Sequence, residues 1–297
     1  MTRPSPKSLI LDLLSTLRRG AMPVRALVAA GELFGITPNS LRVSLARVCS
    51  TGQVERDARG RYRLGDAAQA VDGHVQSWRH AHRRMGDWNV TSTGGGSWIA
   101  VHAPGRGGHA RQRRADARAL LLHGFRELES GLCLRPDNLI GGVDAARSSL
   151  CELGLSAASP VFGLCELDAG RERAARALWR PNKLAPAYAH LCDELARGEA
   201  RLRSLTVEPA MVESFLLGGR AIRSIALDPL LPHPIVERGA LAALVDATRR
   251  YELAGRACWA DFLAEYGVVH QRAPVDARVG DAARALPHAA PNEGALA

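Results

Sequence analysis

Between Thr37 and Arg47, residue types that read the edges of bases recur along one side of a helical repeat. Turning Leu41, Leu45 and Val48 toward a core leaves Asn39, Arg42, Val43, Ala46 and Arg47 facing outward, with Ser40 and Ser44 on the flank. An Arg guanidinium can donate two parallel hydrogen bonds to guanine O6 and N7, an Asn amide can do the same on adenine, and a Val methyl can meet the thymine methyl. Four more arginines, Arg56, Arg59, Arg61 and Arg63, surround the turn signal Asp57-Ala58-Arg59-Gly60, where they suit backbone phosphates or a minor groove. Together the two clusters fit recognition of double-stranded DNA. The bland alternative is that they solvate an exposed helix face and keep a sheet edge soluble.

Presenting those side chains requires a helix–turn–helix followed by a hairpin. Ser5-Pro6 offers an N-cap with proline at the first helical position, and Leu9, Ile10, Leu13, Leu14 and Leu17 recur at helical spacing before Gly20. Pro23 to Phe34 repeats the pattern, and Thr37 caps a third helix. Val54 on one side of the turn, and Tyr62 and Leu64 at alternate positions on the other, predict a β-hairpin. Residues 1–65 are therefore expected to form a winged helix-turn-helix DNA-binding domain, with Asn39 to Arg42 as the groove-facing end of its recognition helix.

Residues 66–96 read as a helical connector and loop. Its heptad-like stripe of Val71, Val75, Trp78, His82 and Met85 fits either pairing across a dimer or packing back on the same chain, and Gly94-Gly95-Gly96 closes it as a loop. Over 97–170 the texture alternates: a strand at WIAVHA, a helix from Asp116 to Leu128 aligning Leu121, Phe125 and Leu128, and a strand before Arg135-Pro136. A helix at Val143 to Leu153 and a strand at Val161 to Leu167 follow. That order predicts a ferredoxin-like α+β sandwich. Residues 171–270 are helical (Leu178 to Leu195, Met211 to Leu217, Gly239 to Tyr266) and would serve effector binding and dimerisation; 271–297 are expected to be disordered.

The formal net charge is +9, and it is unevenly spread. Residues 1–70 hold eleven Lys/Arg against five Asp/Glu, and residues 71–118 eight against three, so the remainder is slightly acidic. Arg111, Arg113, Arg114 and Arg118 form a candidate site for an anionic effector near the start of a helix, with a solvated basic face as the alternative. The glycine runs at 94–96 and 105–108 lack the spacing of phosphate loops. No apolar run is long enough for a membrane span, so a cytoplasmic location is expected. The six cysteines and ten histidines are scattered without zinc spacing. The cysteines are expected to be buried apolar residues in a reducing compartment. No metal, cofactor or catalytic residue is assigned, and an enzyme is not expected.

The chain resembles the PaaX family of bacterial repressors, which regulate phenylacetic acid degradation and related aromatic catabolism. GITPNSLRVSLARVCSTGQVERDARGRYRL looks like that family's winged helix, and RRADARALLLHGFRELESGLCLRPDNL resembles its central domain. ALWRPNKLAPAYAHLCDEL and ALDPLLP look like its later helix and its Asp-Pro-x-Leu-Pro segment, so the likeness spans roughly residues 5 to 265. Arg180-Pro181-Asn182 and HPIVERGAL depart from the family pattern. The resemblance implies a Cas2-like central fold, a homodimer on a palindromic operator, and a coenzyme A thioester, aryl or acyl, as the effector that releases DNA. It also raises a Cas2-like nuclease as a rival, yet the first strand, SWIAVHAP, holds no Asp or Glu to ligate the metal such an enzyme needs. A further alternative is a DNA-binding or adaptor protein with neither sequence preference nor effector, which would show a steep salt slope and a specificity ratio near one.

Overall fold

The computed structural model describes residues 3–17, 20–88, 90, 95–103, 110–237 and 239–268. Gly94, the glycine run at 105–108 and the tail from 271 lie outside them. The architecture is α+β, with two small antiparallel sheets among many helices.

The N-terminal elements are α1 (Pro6–Ser15), β1 (Met22–Pro23), α2 (Val24–Leu33), α3 (Pro38–Ser50), β2 (Val54–Arg56) and β3 (Arg61–Leu64). The local signals act as expected. The Ser5 hydroxyl accepts from Ser8 N at 3.1 Å and the Thr37 hydroxyl from Ser40 N at 3.3 Å, each ahead of a proline in the first turn. The Asp57 carboxylate holds the hairpin turn by accepting from Arg59 N at 2.9 Å and Arg61 N at 2.8 Å. Pro23, expected to open the second helix, instead ends the edge strand Met22–Pro23 in the order β1-β3-β2. A proline lacks a ladder donor, and an edge position tolerates that. The core of this unit continues beyond it: Leu9, Leu13, Leu41 and Val48 share one buried cluster with Met211, Trp259 and Leu263 from the C-terminal helices.

The connector is α4 (Asp66–Gln76) followed by a 3₁₀ segment, Ser77–Arg84, with non-helical backbone at His80. The continuous heptad stripe is therefore interrupted, and the side chains turn onto their own chain. Trp78 is buried among the C-terminal helices, Val71 packs on the central core, and Met85 bridges to Leu139. The Gln76 amide donates to the Ser15 hydroxyl at 2.8 Å, and that hydroxyl donates to Asp72, so α4 is fastened to α1.

The central unit runs strand, helix, strand, strand, helix, strand: β4 (Trp98–His102), α5 (Ala110–Leu122), β5 (Arg126–Glu129), β6 (Leu132–Pro136), α6 (Gly142–Glu152) and β7 (Val161–Leu164). The strands pair antiparallel in the order β5-β6-β4-β7. Central strand β4 is buried on both faces. Ile99 and Val101 meet α5 and α6, while Trp98 and Ala100 meet Trp88, Trp179 and Leu231. The expected helix from Asp116 to Leu128 is corrected. α5 starts and stops earlier, and Gly124 turns the chain at φ 79°, where a Cβ would lie 2.8 Å from the Pro229 backbone. Leu121 faces solvent, and Leu128 lies on the opposite sheet face from Phe125.

Four helices follow: α7 (Ala169–Ala177), α8 (Pro181–Leu202), α9 (Val207–Ala226) and α10 (Gly239–Glu265). The expected helix from Leu178 to Leu195 instead begins at Pro181 and runs on to Leu202, because Arg180 adopts left-handed backbone (φ 49°) just before it. The cysteine expectation is also corrected: all six are free, but Cys151 and Cys165 are exposed and the other four half-buried. Among the described residues no helix is long and apolar enough to cross a membrane.

Candidate nucleic-acid interface and an interior polar cluster

α3 buries Leu41, Leu45 and Val48 and exposes Thr37, Asn39, Ser40, Arg42, Val43 and Arg47, so the predicted face is one continuous surface. The Thr37 hydroxyl is engaged as the helix cap. Val43 is 45% exposed, so its methyls are open to contact on this face. Among the described residues no acid forms an ion pair with Arg42, Arg47 or Arg59. Elsewhere the arginines are often paired: Arg201 with Glu213, Arg220 with Glu194, and Arg171 with Glu129.

The hairpin arginines divide by role. Arg59 is exposed at the turn, and Arg56 lies over the Tyr62 ring at 6.0 Å from its centroid. Arg63 is exposed and pairs with Glu55 at 3.1 Å, a contact worth little in water. Arg61 points the other way, donating to the carbonyls of Ala21 at 2.6 Å and Gly267 at 3.2 Å. Arg111, Arg113, Arg114 and Arg118 stand exposed along the first turns of α5, inside the helix rather than ahead of it.

A second polar assembly lies in the interior, between β6 and the segment joining α9 to α10. Arg135, fully enclosed, donates from Nη1 to the His123 carbonyl at 2.5 Å and from Nη2 to the Asn138 side-chain oxygen at 3.2 Å. Asn138 passes the link to the Leu230 carbonyl at 2.8 Å. The Asp228 carboxylate accepts from Leu230 N at 2.7 Å and from the Tyr188 hydroxyl. Burial pushes the Asp228 carboxyl up, opposed by these hydrogen bonds and by Arg135. Burial first, then the charges of Arg135 and Arg84, lowers His123 to about 3. The Pro-Asp-Asn-Leu and Asp-Pro-Leu-Leu-Pro stretches, matched only by resemblance in the sequence, supply Asn138 and Asp228 to this cluster. A lone Arg inside the apolar strand LCLRP was the available signal.

Residues 5–68 match the family described as PaaX-like protein, which bears out over that span the resemblance read from the sequence. That family is one of transcriptional regulators. Among solved structures the chain is similar to an uncharacterized protein, Rv0674, from Mycobacterium tuberculosis, at 22% identity and a TM-score of 0.49, covering 86% of this chain and 98% of that one. No curated protein matches it.

Proposed function

We propose that the chain is a sequence-specific, double-stranded DNA-binding transcriptional regulator acting as a homodimer in the cytoplasm. The observation that carries this reading is the exposed α3 face, where Asn39, Arg42, Val43 and Arg47 stand together with no acid paired to either arginine among the described residues. The hairpin arginines Arg56, Arg59 and Arg63 flank it, as a wing would. In this reading residues 1–65 are a winged helix-turn-helix and 66–96 the connector. Residues 97–170 are a ferredoxin-like, Cas2-like unit, a reading supported by the β5-β6-β4-β7 order, and 171–270 carry effector binding and dimer contacts. The family match supports repression of a catabolic operon relieved by an aryl- or acyl-coenzyme A thioester.

Selecting duplexes from a random pool with the purified protein tests the DNA-binding core of the proposal. Enrichment of a palindromic motif is expected; a pool that stays random, with equal affinity for every sequence, overturns it. Adding a panel of coenzyme A thioesters to the selected complex then tests release.

A further inference from the structure

The cavity that stands out is formed where the N-terminal unit meets the C-terminal helices. It measures about 190 Å³ and is bounded by α1, the end of α4, the 3₁₀ segment, α9 and α10. Its wall is mainly apolar, with Leu13, Trp78, Phe215, Ile222 and Trp259 contributing. For scale, an apolar cavity of roughly 150 Å³ takes up benzene. A gap of this size costs stability unless something fills it, and α9 widens it further by placing Gly218-Gly219 in its interior, a pair that disfavours helix.

Most polar groups on the wall have partners among the described residues. Glu252 accepts from Arg79 and from Arg256 at 2.6 Å, Thr248 donates to the Leu244 carbonyl at 2.7 Å, and the Thr16 hydroxyl donates to the Leu13 carbonyl at 2.7 Å. Ser15 and Gln76 are joined to each other at 2.8 Å, and Ser214 accepts from Trp259 Nε1 at 3.3 Å. For the Asp12 carboxylate, no donor among the described residues lies within hydrogen-bond distance. Asp12, Thr16 and Gly219 are the exposed lining residues, so the mouth opens between α1 and α9 beside that carboxylate.

We propose that this cavity is a ligand site for a small apolar molecule, one aromatic ring in size, bearing a hydrogen-bond donor that the Asp12 carboxylate accepts. An occupant touches α1 on one side and α9 and α10 on the other, and α1 packs directly on α3. Occupancy therefore acts on the helix pair that carries the outward arginines. The site takes a ligand of different chemistry from the coenzyme A thioester of the proposed function, and it rests on the cavity alone. Binding is read on DNA-free protein, so its failure is distinct from a failure of DNA recognition.

Trp78 and Trp259 line the cavity, so tryptophan fluorescence of the full chain reports occupancy. The probes are benzyl alcohol and benzyl methyl ether, which share a ring and differ in the donor. A saturable change with the alcohol is expected, about ten-fold weaker with the ether because a hydrogen bond to a charged acceptor is lost. Gly219→Leu, placed where a Cβ meets nothing within 4 Å, hangs a side chain over the mouth and should weaken alcohol binding by about ten-fold or more. Gly73→Leu, equally open and not itself part of the wall, should bind like wild type. Asp12→Ala should abolish the preference for alcohol over ether. No saturable change in wild type, or a folded Gly219→Leu that binds like wild type, overturns the site. An Asp12→Ala protein that keeps the preference overturns the donor assignment.

Discussion

Arg135 donates to the side-chain oxygen of Asn138 at 3.2 Å, and Asn138 donates onward to the Leu230 carbonyl at 2.8 Å. The pair thus ties the end of β6 to the segment between α9 and α10. Burial lowers the Arg135 pKa to about 9, so the guanidinium remains charged at neutral pH and depends on the carbonyls aimed at it.

Replacing Arg135 by Met removes those donors and leaves the His123 and Pro229 carbonyls without them. The expected loss is about 3–5 kcal/mol in urea unfolding, and Asn138→Leu should cost about 1–3 kcal/mol. Arg135→Lys should not restore stability, because a point ammonium cannot serve acceptors spread around a planar fork. A loss below about 1 kcal/mol for Arg135→Met would mean that the fold is held elsewhere.

His123 sets an acid limit. Its ring is desolvated and faces the positive Arg135, so the folded state resists protonation down to about 3 while the unfolded chain takes a proton near the usual 6.5. The folded pKa is depressed, so the stability contribution is complete above 6.5 and is lost as pH falls toward 3. At pH 5 the loss from this residue is about 2 kcal/mol. Urea midpoints at pH 7 and pH 5 should diverge in wild type, and the gap should narrow in His123→Gln. An unchanged gap assigns the acid sensitivity to other groups.

The outward face of α3 was legible because its causes are local: a cap, a proline, a 3.6-residue apolar period and a turn-forming Asp are adjacent in sequence. β5 was not. Leu121, Phe125 and Leu128 fit a helical period, and only packing reveals that they face solvent, the α5 side and the opposite sheet face respectively. The break at His80 escaped for a similar reason, since Trp78 is drawn into a core built by helices more than a hundred positions later in the chain. The Arg135 cluster and the cavity at α1 are assembled from distant segments, so spacing carried no sign of their geometry.

Base reading and phosphate contact separate in the next pair of variants. Arg42→Ala should weaken the selected operator by about 1–3 kcal/mol while leaving a scrambled duplex nearly unaffected. Arg59→Ala should weaken both alike and reduce the slope of log affinity against log salt by about one. Fluorescence anisotropy at several salt concentrations gives both quantities. Equal losses on the two duplexes for Arg42→Ala would remove base recognition from α3.

Arg61 tests whether a basic hairpin residue acts through DNA or through the fold. Its guanidinium joins β3 to Ala21 just before β1 and to Gly267 just after α10, so it fixes the base of the hairpin against two other segments. Arg61→Ala should therefore lower stability by about 1–3 kcal/mol, whereas Arg59→Ala should stay within about 0.5 kcal/mol of wild type. On DNA the two should reverse: Arg61→Ala retains the wild-type salt slope because no phosphate contact is lost, while Arg59→Ala flattens it. A stable Arg61→Ala protein with a flattened slope would instead place this guanidinium on the DNA backbone, with the carbonyl contacts a resting position.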